Sequence, residues 1–551
     1  MATYRKWFAG LIWALLATVI LTFWLSAFQF SYNFPYYDDF QNIVQFIYNY
    51  VRAENFGTQL ALLFEQNFEH RVIFAKFLTL LQFRITGSIN IQWLIFLGNL
   101  SILGILALFF PYFSRKQLSL IALFAITCLL FQMQHYEDTI SWATCSLQHA
   151  PCVFFSLWSF HLALNRRNLF ASAALALLAL FTSANGLSTI VIWLIIVLLV
   201  SENRRKVVIP ALLLVAVTII HLVTLTIHSG SLLTHVTHSV GAKCILLLSF
   251  AGLVADPNIL HSIWPSVLLG AVFLAPLPIV AFQMIRGRHR QVTTLQWLCV
   301  TGLVTLLFVA FLIVFARGTD ADYDGYKMDR YKIYAAFFAA LAVAFYDGYW
   351  SGFQWENVIR LPIAGAALLF CIASYYLYYG SIVNYRKTII ANQYSYQWSK
   401  AIYYPVIYAD AKTPLYMDFA LKTFFKPENA FSFSSINWKS VTDTVSVRRS
   451  DQGSYFDISN QEWDDTSGPN EALYAVAVDP VSSQPKYLFS AETSYQRAVK
   501  QFYTTFKRPV SPGFSCVIYK KELQKGSYDI YLLTIKKGQV SRAFKLASIV
   551  V

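Results

Sequence analysis

Long stretches without a charged residue alternate with short polar segments over the first two-thirds of the chain, and the last third loses that texture. About 20 apolar residues cross the hydrocarbon core of a bilayer. On that basis Trp7–Phe28, Ile91–Phe113, Gln117–Met133, Ala150–Leu164, Val207–Ile227, Ile263–Ile285, Thr294–Ala316, Ile333–Tyr346 and Leu361–Tyr379 predict membrane helices. Asn168–Ser201 runs for 34 residues without a charge. As one helix it would be about 51 Å long, too much for one crossing. Thr182-Ser183-Ala184-Asn185-Gly186 lies at its centre and has turn chemistry, so two short helices meeting there are expected. Trp7–Phe28 follows Arg5 and Lys6, exceeds a secretory apolar segment and lacks a small-residue cleavage site, which reads as a retained anchor.

Charge placement supports the two-helix choice. Eleven spans with an inside N-terminus put 13 cations in the inner loops, from Arg5 and Lys6 through Arg204, Arg205 and Lys206 to Arg360, against Glu202 and Glu356. That is the asymmetry expected of inner loops. One long helix would turn the basic clusters at 204–206 and 286–290 outward. The same parity places 12 of the 15 acids before residue 381 outside. From about 381 to 551 the chain is polar and has no further span. Alternation at Thr442–Arg448, Lys486–Ser490, Ser515–Lys520 and Tyr528–Lys536 predicts strands, with helical pieces near Tyr394–Ala409 and Ala491–Thr505. Tyr375, Tyr376, Tyr378 and Tyr379 read as an interfacial belt. The expected fold is therefore an all-α polytopic membrane domain of about 11 spans over residues 1–380, with outer loops 31–90, 134–149, 228–262 and 317–332. A soluble, mixed or mainly β domain over 381–551 follows it.

Composition agrees. Apolar residues are 57% of the 551 and charged residues 13%, against about 25% charged in soluble domains. Seven cysteines show no CxxC spacing, which excludes a zinc ribbon, an iron–sulfur protein or a disulfide scaffold. The net charge of +14 serves topology rather than nucleic acid. The one Asn-x-Ser/Thr sequon, Asn99-Leu100-Ser101, lies within a span, which favours a bacterial inner membrane with a periplasmic tail. No GxGxxG, Walker A or GxSxG motif is present, so nucleotide-consuming chemistry is unsupported.

The polar segments beside the spans hold the candidate chemistry. Asp38-Asp39 follows the first span among aromatics. Two adjacent carboxylates at a membrane surface suit a general base for a sugar hydroxyl. They also offer oxygen ligands to a cation such as Mg2+ or Mn2+, the one cofactor the sequence suggests. Alternatively Asp38 caps the next helix. Glu69-His70-Arg71 offers a guanidinium fork for a phosphate, or a charged collar on a surface helix. Tyr136-Glu137 with Trp142 combines an acid with rings that stack on a sugar, or forms the wet end of a helix. Asn185 sits in polar backbone at membrane depth, tolerated where buried or lining a cavity. Arg317 and the run Asp329-Arg330-Tyr331-Lys332 bracket an outer loop as phosphate partners or as snorkelling cations. His221, His228, His235 and His238 include no pair four apart and read as satisfied histidines.

In order and spacing these pieces resemble the multi-spanning GT-C glycosyltransferases, and more closely a group of bacterial polytopic proteins. The resemblance rests on Asp38-Asp39-Phe40, Glu69-His70-Arg71, Tyr136-Glu137 with Trp142, Ala184-Asn185-Gly186-Leu187, and Arg317-Gly318 with Arg330-Tyr331, and it extends through about residue 380. Asp329 stands where that group would have Ser, and the tail resembles nothing. The resemblance implies a polyprenyl-phosphate sugar donor, membrane lipids as surroundings and a glycan or lipid-linked acceptor on the periplasmic face. It implies Asp38 or Asp39 as base, Arg71, Arg317, Arg330 and Lys332 on the donor phosphate, and Glu69, His70, Tyr136, Glu137, Trp142 and Asn185 on sugar or acceptor. The rival readings are a surface-polysaccharide polymerase or ligase, a lipid-linked sugar transporter or flippase, and an inactive scaffold whose tail binds glycans.

Overall fold

Each apolar run of the first 380 residues contains helix in the computed structural model. The structure describes residues 2–67, 71–200, 204–226, 240–288, 291–317, 327–351, 353, 356–402, 412–427, 430–431, 433, 436–463, 472–508, 511–536 and 538–551. Six described helices are long and apolar enough to cross a membrane: Lys6–Phe30, Ile91–Ser114, Trp264–Ile285, Thr294–Phe315, Asp329–Trp350 and Glu356–Ser399. The chain is on this ground a multi-pass membrane protein. The other expected spans are helices of fewer residues, among them Leu120–Leu130, Leu169–Thr182 and Leu187–Val200. Length and composition thus support six crossings among the described residues, and do not by themselves establish the expected eleven.

The expected turn is present. Asn168–Ser201 breaks at Ser183, whose hydroxyl accepts the Asn185 N–H, and Ala184–Gly186 forms a single tight turn. A side chain at Gly186 would put its Cβ 2.3 Å from the Ala179 carbonyl, so the last residue of the turn must be glycine for the two helices to fold back. Within 228–262, expected to be loop, Val240–Ala251 is a helix. Exposed Leu212, Leu213, Ile219 and Ile220 on helix Arg204–Val223 present apolar surface of the kind that suits lipid. Asp347, an acid inside helix Lys332–Trp350, is satisfied by Arg360 Nε at 2.5 Å and by the backbone N–H and hydroxyl of Ser119.

Two compact units divide the chain. The first comprises residues 1–29, 49–81 and 93–375; the second comprises 30–48, 82–92 and 376–551. The second unit therefore takes in two pieces of the loop that follows the first span. Asn33 explains part of this. Its side chain donates to the Lys426 carbonyl at 3.1 Å and accepts from the Ile91 N–H at 2.8 Å. Ile89 adds a backbone bond to Phe424, and the Tyr36 and Tyr385 rings lie 4.6 Å apart.

The tail is mainly β, as expected. Strands β1 (Arg448–Asp451), β2 (Tyr455–Asn460), β3 (Ala472–Val478), β4 (Pro485–Ser490), β5 (Phe514–Tyr519), β6 (Ser527–Lys536) and β7 (Gln539–Val550) make two antiparallel sheets, ordered β1-β2-β5 and β4-β3-β6-β7. Phe456, Ile458 and Ile518 of the first sheet share a core with Ala475, Phe489 and Ile530 of the second, so the sheets pack face to face. Helix Glu356–Ser399 runs 44 residues, well past the expected end of the last span at Tyr379. Its later turns dock on β4: Ser395 Oγ donates to the Leu488 carbonyl and accepts the Leu488 N–H. Tyr376 and Tyr379, expected at a lipid interface, pack on Phe502, and the Arg508 guanidinium lies 4.2 Å from the Tyr376 ring.

Candidate functional site

Segment 131–141 leaves helix Leu120–Leu130 and stays buried without being apolar. Gln132, Gln134, His135 and Asp138 are all at most 1% exposed. Buried polar groups need partners, and some in this segment find them in distant parts of the first unit. Gln134 Nε2 donates to the Leu253 carbonyl at 2.7 Å, and Asn99, the sequon residue, donates to the Thr139 carbonyl at 2.8 Å.

Glu137 opens a π-helical turn, Glu137–Ser141. Its carboxylate accepts the backbone N–H of Arg330 at 2.8 Å. Burial raises its pKa to about 7, with the neighbouring Asp329 carboxylate adding to the rise and the Arg330 guanidinium opposing it. The Tyr136 hydroxyl donates to Asp329 at 2.6 Å. The Arg330 guanidinium lies 5.3 Å from the Trp142 ring centre and 5.0 Å from that of Tyr331, within cation–π range. Lys332 is buried and ion-paired to Asp256 at 2.6 Å and to Asp329. Asn185 reaches the same region from the turn between its two helices, donating to the Tyr334 hydroxyl at 3.3 Å. The Tyr334 ring lies 5.3 Å from that of His149.

Three segments far apart in sequence, 134–149, 183–187 and 329–334, thus converge on one polar cluster. Of the sequence candidates it gathers Tyr136, Glu137, Trp142, Asn185, Arg330 and Lys332. It does not gather Arg71, which hydrogen-bonds to the Thr224 hydroxyl at 2.8 Å and to the Thr224 and His221 carbonyls at the end of helix Arg204–Val223. Glu69 and His70 lie outside the described residues, as do His228, His235 and His238. Arg317 ends helix Thr294–Arg317, and its side chain is likewise outside the description. Asp38 and Asp39 belong to the second unit. There Asp39 is fully buried and accepts the Tyr36 N–H at 3.2 Å, while the Asp38 main-chain carbonyl receives the N–H groups of Gln41 and Asn42.

Sequence reasoning passed over Asp256, Tyr334, Cys145 and His149. Among the described residues one group of three donors stands close enough for a metal ion, Asp138, Cys145 and His149, and it does not include Asp38 or Asp39. Cys145 and His149 are four residues apart, a spacing visible in the sequence. The cluster brings cations, carboxylates and aromatic rings together in a buried setting. No family model, no curated protein and no solved structure matches the chain.

Proposed function

We propose that the protein is a membrane glycosyltransferase of the GT-C kind. It moves a sugar from a polyprenyl phosphate to a cell-surface glycan or glycolipid, in a bacterial inner membrane with the tail in the periplasm. The observation that carries this reading is the convergence of Glu137, the Arg330–Trp142 stack and Asn185 from three separate segments. A sugar phosphate asks for a guanidinium near its phosphate, hydrogen-bonding groups for its hydroxyls and a ring beneath its face.

In the proposed reaction an acceptor hydroxyl oxygen attacks the anomeric carbon, and the bond from that carbon to the phosphate oxygen breaks. The electron pair stays on the lipid phosphate, and the hydroxyl proton goes to a carboxylate base, for which Asp38 and Asp39 are candidates on the resemblance alone. Attack opposite the leaving group inverts the anomeric configuration. Arg330 stabilises the charge growing on the phosphate. Lys332, held by two carboxylates, positions the Asp329–Arg330 turn rather than touching the donor. Arg71 and Arg317 remain phosphate candidates on the resemblance alone.

The test uses the purified full chain with a polyprenyl-phosphate hexose and a glycolipid acceptor. Arg330→Gln is expected to lower kcat/KM about 10²–10³-fold, the usual loss for one charge-stabilising donor. Asp38→Asn or Asp39→Asn is expected to abolish turnover. Full turnover in both of those carboxamide variants removes the base assignment, and no transfer by the unaltered chain to any offered acceptor removes the reading.

A further inference from the structure

Asp138, Cys145 and His149 have no part in the proposed transfer, yet they form the most concentrated group of metal donors among the described residues. One donor atom from each lies within 4.8 Å of the other two, and all three residues are buried. Asp138 Oδ1 meets His149 Nδ1 at 2.6 Å. Its second oxygen, Oδ2, is buried with no hydrogen-bond partner among the described residues, on a residue only 1% exposed. A carboxylate so placed needs either a proton or a cation, because desolvating an uncompensated charge is costly. The thiol and the imidazole beside it are the donors that make a cation the better answer.

We propose that Asp138, Cys145 and His149 bind one divalent transition-metal ion of the zinc class. Ligands at roughly 2.0–2.3 Å from zinc stand about 3.3–3.8 Å apart, so donors at most 4.8 Å apart, with Asp138 Oδ1 and His149 Nδ1 at 2.6 Å, need shift by only about 1 Å. Sulfur among the donors selects against Mg2+ and Mn2+, which prefer oxygen sets. Three protein ligands leave the fourth tetrahedral position for water or for a ligand oxygen.

The backbone under these donors is already fixed. Cys145 lies in the short helix Ala143–Ser146, and the Ser146 hydroxyl donates to the Ile95 carbonyl at 2.9 Å. That turn presses on helix Ile91–Ser114 so closely that a Cβ at Gly98 would lie 2.3 Å from the Ser146 carbonyl oxygen. His149 begins helix His149–Leu164, and Asp138 sits on the π-helical turn that also carries Glu137. The ion would thus tie together both ends of the segment that presents Glu137 and Trp142.

The test does not depend on transferase activity. The full chain in detergent, with the exposed Cys244 changed to Ser, is stripped by a chelator and titrated with Co2+. One equivalent of tetrahedral cobalt with a thiolate charge-transfer band is expected, displaced by Zn2+, and metal analysis should find about one zinc per chain after reloading. Cys145→Ser should remove the thiolate band. Asp138→Asn, which keeps the side-chain shape, should weaken Co2+ binding more than about tenfold, since even outer-shell partners are worth 10–100-fold. No stoichiometric uptake by the parent chain overturns the proposal, as does a thiolate band that survives Cys145→Ser. Should that variant fail to fold, unchanged affinity in Asp138→Asn is equally decisive against it.

Discussion

Lys332 shows at the level of one residue how the cluster is held. Lys332 is only 1% exposed, and two carboxylates, Asp256 and Asp329, meet its ammonium. Removing one partner from such a group leaves uncompensated charge in a poor solvent, which costs about 3–5 kcal/mol. Lys332→Met should therefore lower stability by that order in chemical or thermal unfolding, and adding Asp256→Asn and Asp329→Asn to it should recover most of the loss. A sequence reading finds Lys332 because a cation at a span end stands out. It cannot see that Asp256, 76 residues earlier, neutralises it, so a phosphate role and a positioning role look alike. The same holds for Cys145 and His149. Their four-residue spacing is visible in the sequence, but only the fold shows Asp138 facing them.

Among the elements, the legible parts were those governed by local rules. Helices follow from charge-free length, and the break at Ser183–Gly186 from turn chemistry and loop charge. In the tail, alternation found β4, β5 and β6, whereas only Arg448 of the expected strand Thr442–Arg448 lies in one, and β2, β3 and β7 were not expected. What escaped was set by tertiary packing: the helix Val240–Ala251 in an expected loop, and the continuation of Glu356–Ser399 beyond Tyr379, where Ser395 and β4 satisfy one another. The turn at 183–186 gives a direct check on element packing. Gly186→Ala forces a methyl against the Ala179 carbonyl and should cost about 1–3 kcal/mol, the usual price of overpacking. Because Asn185 precedes it, the variant should also lose more transfer activity than its change in stability explains, read as kcat/KM below the melting temperature.

The whole chain does not divide where its composition does. Hydropathy changes near residue 381, yet the unit containing the tail begins at Tyr376 and includes residues 30–48 and 82–92. Asn33, Phe34 and Ile89 are bound there by Lys426, Phe425 and Phe424. Sequence could not show this, because loop pieces and tail are separated by some 290 residues and share no pattern. Deleting 376–551 is therefore expected to leave Phe34 and Phe40, now almost fully buried, exposed to solvent. The truncated protein should aggregate or be degraded, measured as loss of a monodisperse peak in detergent.

Asp38 and Asp39 lie inside that composite body, on a strip of chain held by Tyr385, Phe425 and Lys426. Asn33 precedes Lys426 by 393 residues, so during synthesis the strip emerges long before its permanent neighbours exist. The acid pair consequently cannot reach its final setting until those neighbours have been made, and any activity that depends on it begins only then.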